Sequence, residues 1–150
     1  MKNLLLTIMF LSFSGLLAAQ GNSQLKLGEK QLNFGPLYAG IEFGIKKNIT
    51  IGGVVNYDWG SYDQNTNTYF NSIDFIGKID YHLGEILQLD PQWDLYGGVR
   101  TGFGAGKIIT FLFGFEVGGR WFWNDKWGIN VESSYGNGLG GGVGLTMKLN

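Results

Sequence analysis

The sequence predicts an all-β fold: a closed eight-stranded antiparallel up-and-down transmembrane β-barrel after an N-terminal signal peptide. Three observations predict it. From Leu37 to Leu149 large apolar side chains recur at odd positions, while even positions hold glycine, polar and charged residues. A two-residue period with such unlike halves marks strands with two different neighbours. Most of the 26 glycines, against two prolines, fall inside these stretches, which sets the chain apart from disordered and collagen-like sequences. After the first segment no run approaches 18 apolar residues, so any membrane crossing must use strands.

The elements follow in chain order. Met1-Lys2-Asn3 gives a positive start, Leu4 to Leu17 an apolar run, and Ala18-Ala19 a small-residue junction. This is the pattern of a secretory signal peptide over residues 1–19, cut near Ala19 or Gln20, with a run short of the roughly 20 residues of a spanning helix. No cysteine follows it, which excludes a bacterial lipoprotein anchor. Residues 20–150 then make one domain without disulfides or thiolate metal sites. A first strand is expected over 24–33, with a tight connection at Asn33-Phe34-Gly35-Pro36. Seven more follow at 37–45, 49–60, 69–83, 93–104, 108–123, 127–136 and 139–149. Eight is an even count, as such a barrel requires, and hydrocarbon offers no water to an open sheet edge, so the sheet must close.

The two faces predict two sets of residues. Outward aromatics fall into belts, Tyr81, Trp93, Trp121, Trp123 and Trp127 near one rim and Tyr57, Trp59, Tyr69, Phe103 and Tyr135 near the other. Rings with a polar edge favour the boundary between headgroup and hydrocarbon. Inward positions collect Glu42, Asp74, Lys78, Asp80, Asp94, Arg100, Glu116, Arg120, Glu132 and Lys148. Charges of both signs in a narrow lumen must pair or keep water, and eight strands leave a lumen just wide enough for side chains to fill. The expectation is a salt-bridged plug of Glu42, Glu116 and Glu132 with Arg100, Arg120 and Lys148.

Other chemistries find little support. His82 is the only histidine, which excludes a multi-histidine metal site, and it is expected at a turn as a pH-sensitive group. Gly102-Phe103-Gly104-Ala105-Gly106-Lys107 lacks the Ser or Thr and the helix that a phosphate loop needs, since Ile108-Ile109 begins a strand. Asp58, Asp63 and Asp74 lack calcium-loop spacing. Asn48-Ile49-Thr50 matches a glycosylation acceptor but falls at a turn of a bacterial-looking chain. A formal net charge of −1 gives no basic field for nucleic acid. No catalytic residue, metal or cofactor is expected.

The leader, the eight alternating strands, tight turns such as Trp123-Asn124-Asp125-Lys126-Trp127 and the final strand together resemble the small OmpA/OmpX-type outer-membrane β-barrels of Gram-negative bacteria. The Ala19-Gln20 junction is similar to cleavage sites common in the Bacteroidetes. One departure is the ending Met147-Lys148-Leu149-Asn150, where such barrels usually close on an aromatic residue. The resemblance implies a monomer in the outer membrane, with lipid and, during biogenesis, the barrel-assembly machinery as partners. It implies a structural or surface-contact role in the envelope. The alternatives are a narrow passive pore and a secreted lipocalin-like barrel binding an apolar ligand.

Overall fold

The computed structural model describes residues 25–63, 68–137 and 140–149, with backbone alone for 60–63 and 68–70. The expected signal peptide, residues 1–19, lies outside the described residues, as does the side chain of Tyr69. Eight strands form: β1 (Lys30–Gly35), β2 (Tyr38–Lys46), β3 (Ile49–Asp63), β4 (Thr68–His82), β5 (Trp93–Ala105), β6 (Ile109–Phe122), β7 (Trp127–Asn137) and β8 (Gly142–Leu149). Each pairs antiparallel with the next, and β8 pairs with β1, which closes an up-and-down barrel. Carried once round the sheet, the registers displace the chain by about ten residues along β1, a stagger that tilts strands roughly 40° from the axis.

The proximal end carries Lys30, Leu149 and the turns 47–48, 83–92 and 123–126, and the distal end carries the turns 36–37, 106–108 and the rims of β3, β4, β7 and β8. Local chemistry sets the turns. The side chain of Asn124 accepts from the backbone N–H groups of Lys126 and Trp127, at 2.9 and 2.7 Å, and fixes the 123–126 reversal.

The first strand corrects the expectation of 24–33. Glu29 N–H donates to the Lys26 carbonyl and Gly28 adopts φ +82°, so the chain turns over 26–29 and the strand starts at Lys30. It continues through Phe34 and Gly35, which pair with Ala39 and Tyr38. Only Pro36-Leu37 remains as the turn, and this even-length reversal flips the parity. Gln31 and Asn33 point inward and Leu32 and Phe34 outward, opposite to the numbering rule of every later strand. The other seven strands lie within about three residues of their expected bounds.

Burial is inverted relative to a water-soluble barrel. Among the described residues eighteen buried side chains are polar or charged and six are apolar, so the core is a polar one. Outward positions hold Ile51, Phe75, Ile79, Val99, Phe113, Phe115, Val117 and Val131, all exposed. Apart from Lys30 and Lys46 at the proximal rim, no described charged side chain points outward from the strands.

Candidate functional site: the charged lumen

Inward even positions on β2 and β4 to β7 deliver the charges to the lumen, where the registers place Lys78 beside Arg100, Asp94 beside Arg120 and Arg100 beside Gly114. The centre is Lys78. Its Nζ lies 3.0 Å from Glu42, 2.9 Å from Asp80, 3.2 Å from Glu116 and 3.7 Å from Glu132. Arg100 bridges Glu116 at 2.6 Å and Glu132 at 2.8 Å. Arg120 bridges Glu42 at 2.5 Å and Asp94 at 3.1 Å. Three cations thus join five carboxylates in one connected set, and each carboxylate faces at least one cation. An isolated charge at this depth would cost several kcal/mol.

Tyr96 is the hub that neutral chemistry supplies. The Arg120 guanidinium stacks 4.1 Å from its ring centre, the Lys78 ammonium lies 5.1 Å away, and its hydroxyl donates to Glu132 at 3.0 Å. Cation–π contacts of this kind strengthen when desolvated. Gly118, inward on β6, leaves the room, since a Cβ there would overlap the Tyr96 ring.

A polar shell extends the set. Asn33 donates to Glu42 at 2.7 Å and accepts from Thr146 at 2.7 Å, and Tyr38 donates to Asn130 at 3.0 Å. Toward the distal side Val54, Ile76 and Leu112 form a small apolar cluster against which Tyr38 packs. Beyond it opens a cavity of about 380 Å³, floored by Arg100 and Glu132 and walled by Tyr38, Asn56, Asp58 and Asp74.

All ten expected lumen residues are buried, but they do not act alike. Lys148 departs from the expected plug: its ammonium lies 4.8 Å over the Phe122 ring and has no carboxylate within 4 Å among the described residues. It is the second-last residue of β8, and its ammonium meets the Phe122 ring rather than a carboxylate. Asp74 stands apart too, on the distal side, where its carboxylate accepts from Ser72 at 2.9 Å. His82 corrects the expectation of a turn histidine. It closes β4 inside the lumen, 2% exposed, with Nδ1 2.7 Å from Asp94 and Nε2 3.0 Å from Thr50. The connectivity is that of a hydroxyl–imidazole–carboxylate relay, yet all three groups are buried and Asp94 is already held by Arg120.

Sequence reasoning passed over Gln31, Asn33 and Thr146 as part of the network. The polar/apolar alternation of Gln31-Leu32-Asn33-Phe34 was the available signal, with reversed parity.

The outward aromatics sort by height. Trp93, Trp121 and Trp123 form a chain with ring centres 6.4 Å apart at each step, and Trp127 meets Phe34 edge-on, all near the proximal end. Tyr81 follows one step up β4, whereas Tyr57, Trp59 and Tyr135 are exposed toward the distal rim and Phe103 packs on Phe75 at 5.5 Å. Comparison of the chain with protein-family models, curated proteins and solved structures returned no match.

Proposed function

We propose that this chain is a small integral outer-membrane β-barrel of the OmpA/OmpX kind, exported through a cleaved signal peptide, with a structural or surface-contact role in the envelope and no enzymatic activity. The observation that carries the reading is the inversion of the barrel, apolar outside and ionic inside. In water a continuous Ile, Phe and Trp surface would drive association. Around hydrocarbon the same surface is the favourable one, and a strand of about ten residues, tilted by about 40°, covers roughly the 25 Å apolar band. Both rims of aromatic residues then lie at the headgroups, with the proximal end periplasmic. The protein is a monomer whose partners are lipid and, during insertion, the assembly machinery.

The packed lumen favours a closed barrel over a narrow passive pore, because Lys78, Arg100, Arg120, Tyr96 and their carboxylates fill its middle level. The lipocalin alternative needs an apolar interior, and Val54, Ile76 and Leu112 are too few to make one. The test is mobility of the outer-membrane fraction on a detergent gel, boiled against unboiled, followed by planar-bilayer recording of the purified protein. A heat-dependent shift without steady conductance is expected. Recovery in a soluble fraction with no shift overturns the membrane assignment, and a steady open channel replaces the closed barrel with the pore.

A further inference from the structure

The distal cavity is a cup with a charge the barrel leaves unbalanced. Its floor is paired, because Arg100 and Glu132 hold each other at 2.8 Å and Arg100 also holds Glu116. Its wall is different. Asp74, 3% exposed, has no cation within 4 Å among the described residues, and Ser72 Oγ donates to one of its oxygens. Asp58 lies on the diagonal of the same β3–β4 face, since Asn56 pairs with Asp74 and Asp58 with Ser72, so the two carboxylates act on each other. Elsewhere in this lumen buried carboxylates meet Lys78, Arg100 or Arg120.

We infer that the cup binds a small organic cation, an ammonium-bearing solute, with Asp74 as its principal anchor. A volume of about 380 Å³ is at the small end of ligand pockets and far exceeds a bare metal ion. Among the described residues no three acidic or histidine groups converge as metal ligands. An ammonium group has three donors and no acceptor, and Asp74, Asp58 and the Asn56 amide oxygen supply acceptors on one wall. Tyr38, the cross-strand neighbour of Asn56, and Gly140–Gly142 complete the lining, so the organic part of the ligand meets an aromatic ring and glycines rather than a further unpaired charge. A buried carboxylate is far more favourable when such a cation completes it.

The experiment is calorimetric titration of putrescine into the detergent-folded barrel, which does not depend on where the protein resides in the cell. Saturable binding is expected, weakened at least about tenfold in Asp74→Asn and unchanged in Lys47→Ala at the opposite end. Ser72→Ala, which removes the hydrogen bond orienting the carboxylate, should weaken it by a smaller factor. Heat-dependent gel mobility is measured on every variant, so that loss of binding is read only on folded barrels. Absence of saturation, equal affinity in Asp74→Asn, or displacement of putrescine by lower concentrations of calcium overturns the assignment.

Discussion

Lys78 meets Glu42 at 3.0 Å in the lumen, and Lys47 meets Glu85 at 2.7 Å on the proximal turns, so the two pairs share chemistry and nearly share a length. Their surroundings are opposite. The lumen side chains are each 1% exposed, whereas those on the turns are 76% and 50% exposed. In water the attraction between two charges is screened and each ion keeps its own hydration. In the lumen neither ion has that recourse, so the charge that is optional on the turn is obligatory inside. Contact distance therefore says little about what a contact does in this protein. The medium around it decides.

The widest separation between the two regions comes from deleting the lumen cation. In Lys78→Met the carboxylates of Glu42, Asp80, Glu116 and Glu132 lose a shared partner, and Asp80 loses the one cation within 4 Å of it among the described residues. Breaking a buried pair from one side costs about 3–5 kcal/mol. Urea unfolding in detergent, followed by tryptophan fluorescence, should show a loss of at least this size or no folded barrel at all. The same substitution at Lys47 should leave the midpoint in place. Equal midpoints for the two variants would erase the distinction drawn between lumen and turn.

A cation can also be moved to a third medium. Phe113 points outward from β6 and packs on Phe115 at 5.9 Å. On the proposed membrane reading Phe113→Arg places a charge against hydrocarbon and costs about 2–4 kcal/mol. Folding equilibria in lipid vesicles would report the loss, and near-wild-type stability there would contradict the outward assignment.

What was legible in the sequence follows from the same contrast. Alternation reads the medium on each side of a strand, so it placed seven strands and the ten inward charges. Lys78 and Ile79, neighbours in sequence, lie 3% and 54% exposed as their parity demands. Alternation does not read height along the barrel axis. Lys148 has the right parity for the plug, yet its ammonium lies over the Phe122 ring near the proximal end of β8. His82 differs for a related reason: as the last residue of β4 it still points inward and is buried, and strand ends are the least determined part of a periodic pattern. Parity itself is reset wherever a turn has an even length without a compensating bulge. That occurs at Pro36-Leu37, which hid Gln31 and Asn33. At Lys47-Asn48 an irregularity between Gly44 and Lys46 restores the phase, and the rule survives into β3.

A smaller effect sharpens the comparison without touching any charge. Tyr96 carries the cations on its ring, and Gly118 is the space it occupies, so Gly118→Ala forces apart a ring fixed by Arg120, Lys78 and Glu132. Overpacking of this kind costs about 1–3 kcal/mol. Gly77 on the outer face is the control, because a Cβ there would lie 3.7 Å from the Thr101 carbonyl, an ordinary contact. Gly77→Ala should be neutral or raise stability by up to about 1 kcal/mol, through reduced freedom of the unfolded chain. Paired denaturation curves in one detergent decide it, and a loss in Gly77→Ala as large as in Gly118→Ala would show that glycine is needed for the strand itself rather than for Tyr96.

The smallest effect belongs to the exposed pair. Hydrogen bonds from Lys47 and then Asn48, at 2.7 and 3.0 Å, hold the Glu85 carboxyl below the usual carboxylate range. A depressed folded value means that the contribution to stability is fully present above the unfolded value of about 4.3 and disappears as pH falls through the folded one. It therefore operates at neutral pH and is lost in acid. Because the groups are in water, molar salt should remove most of it at any pH. An NMR titration of Glu85 should give a midpoint below that of an unstructured glutamate, moving upward in Lys47→Ala and in 1 M NaCl (~3 Å screening length). A midpoint indifferent to both would mean that Asn48 alone orders the carboxylate, and the turn lysine would then have no electrostatic role to compare with Lys78.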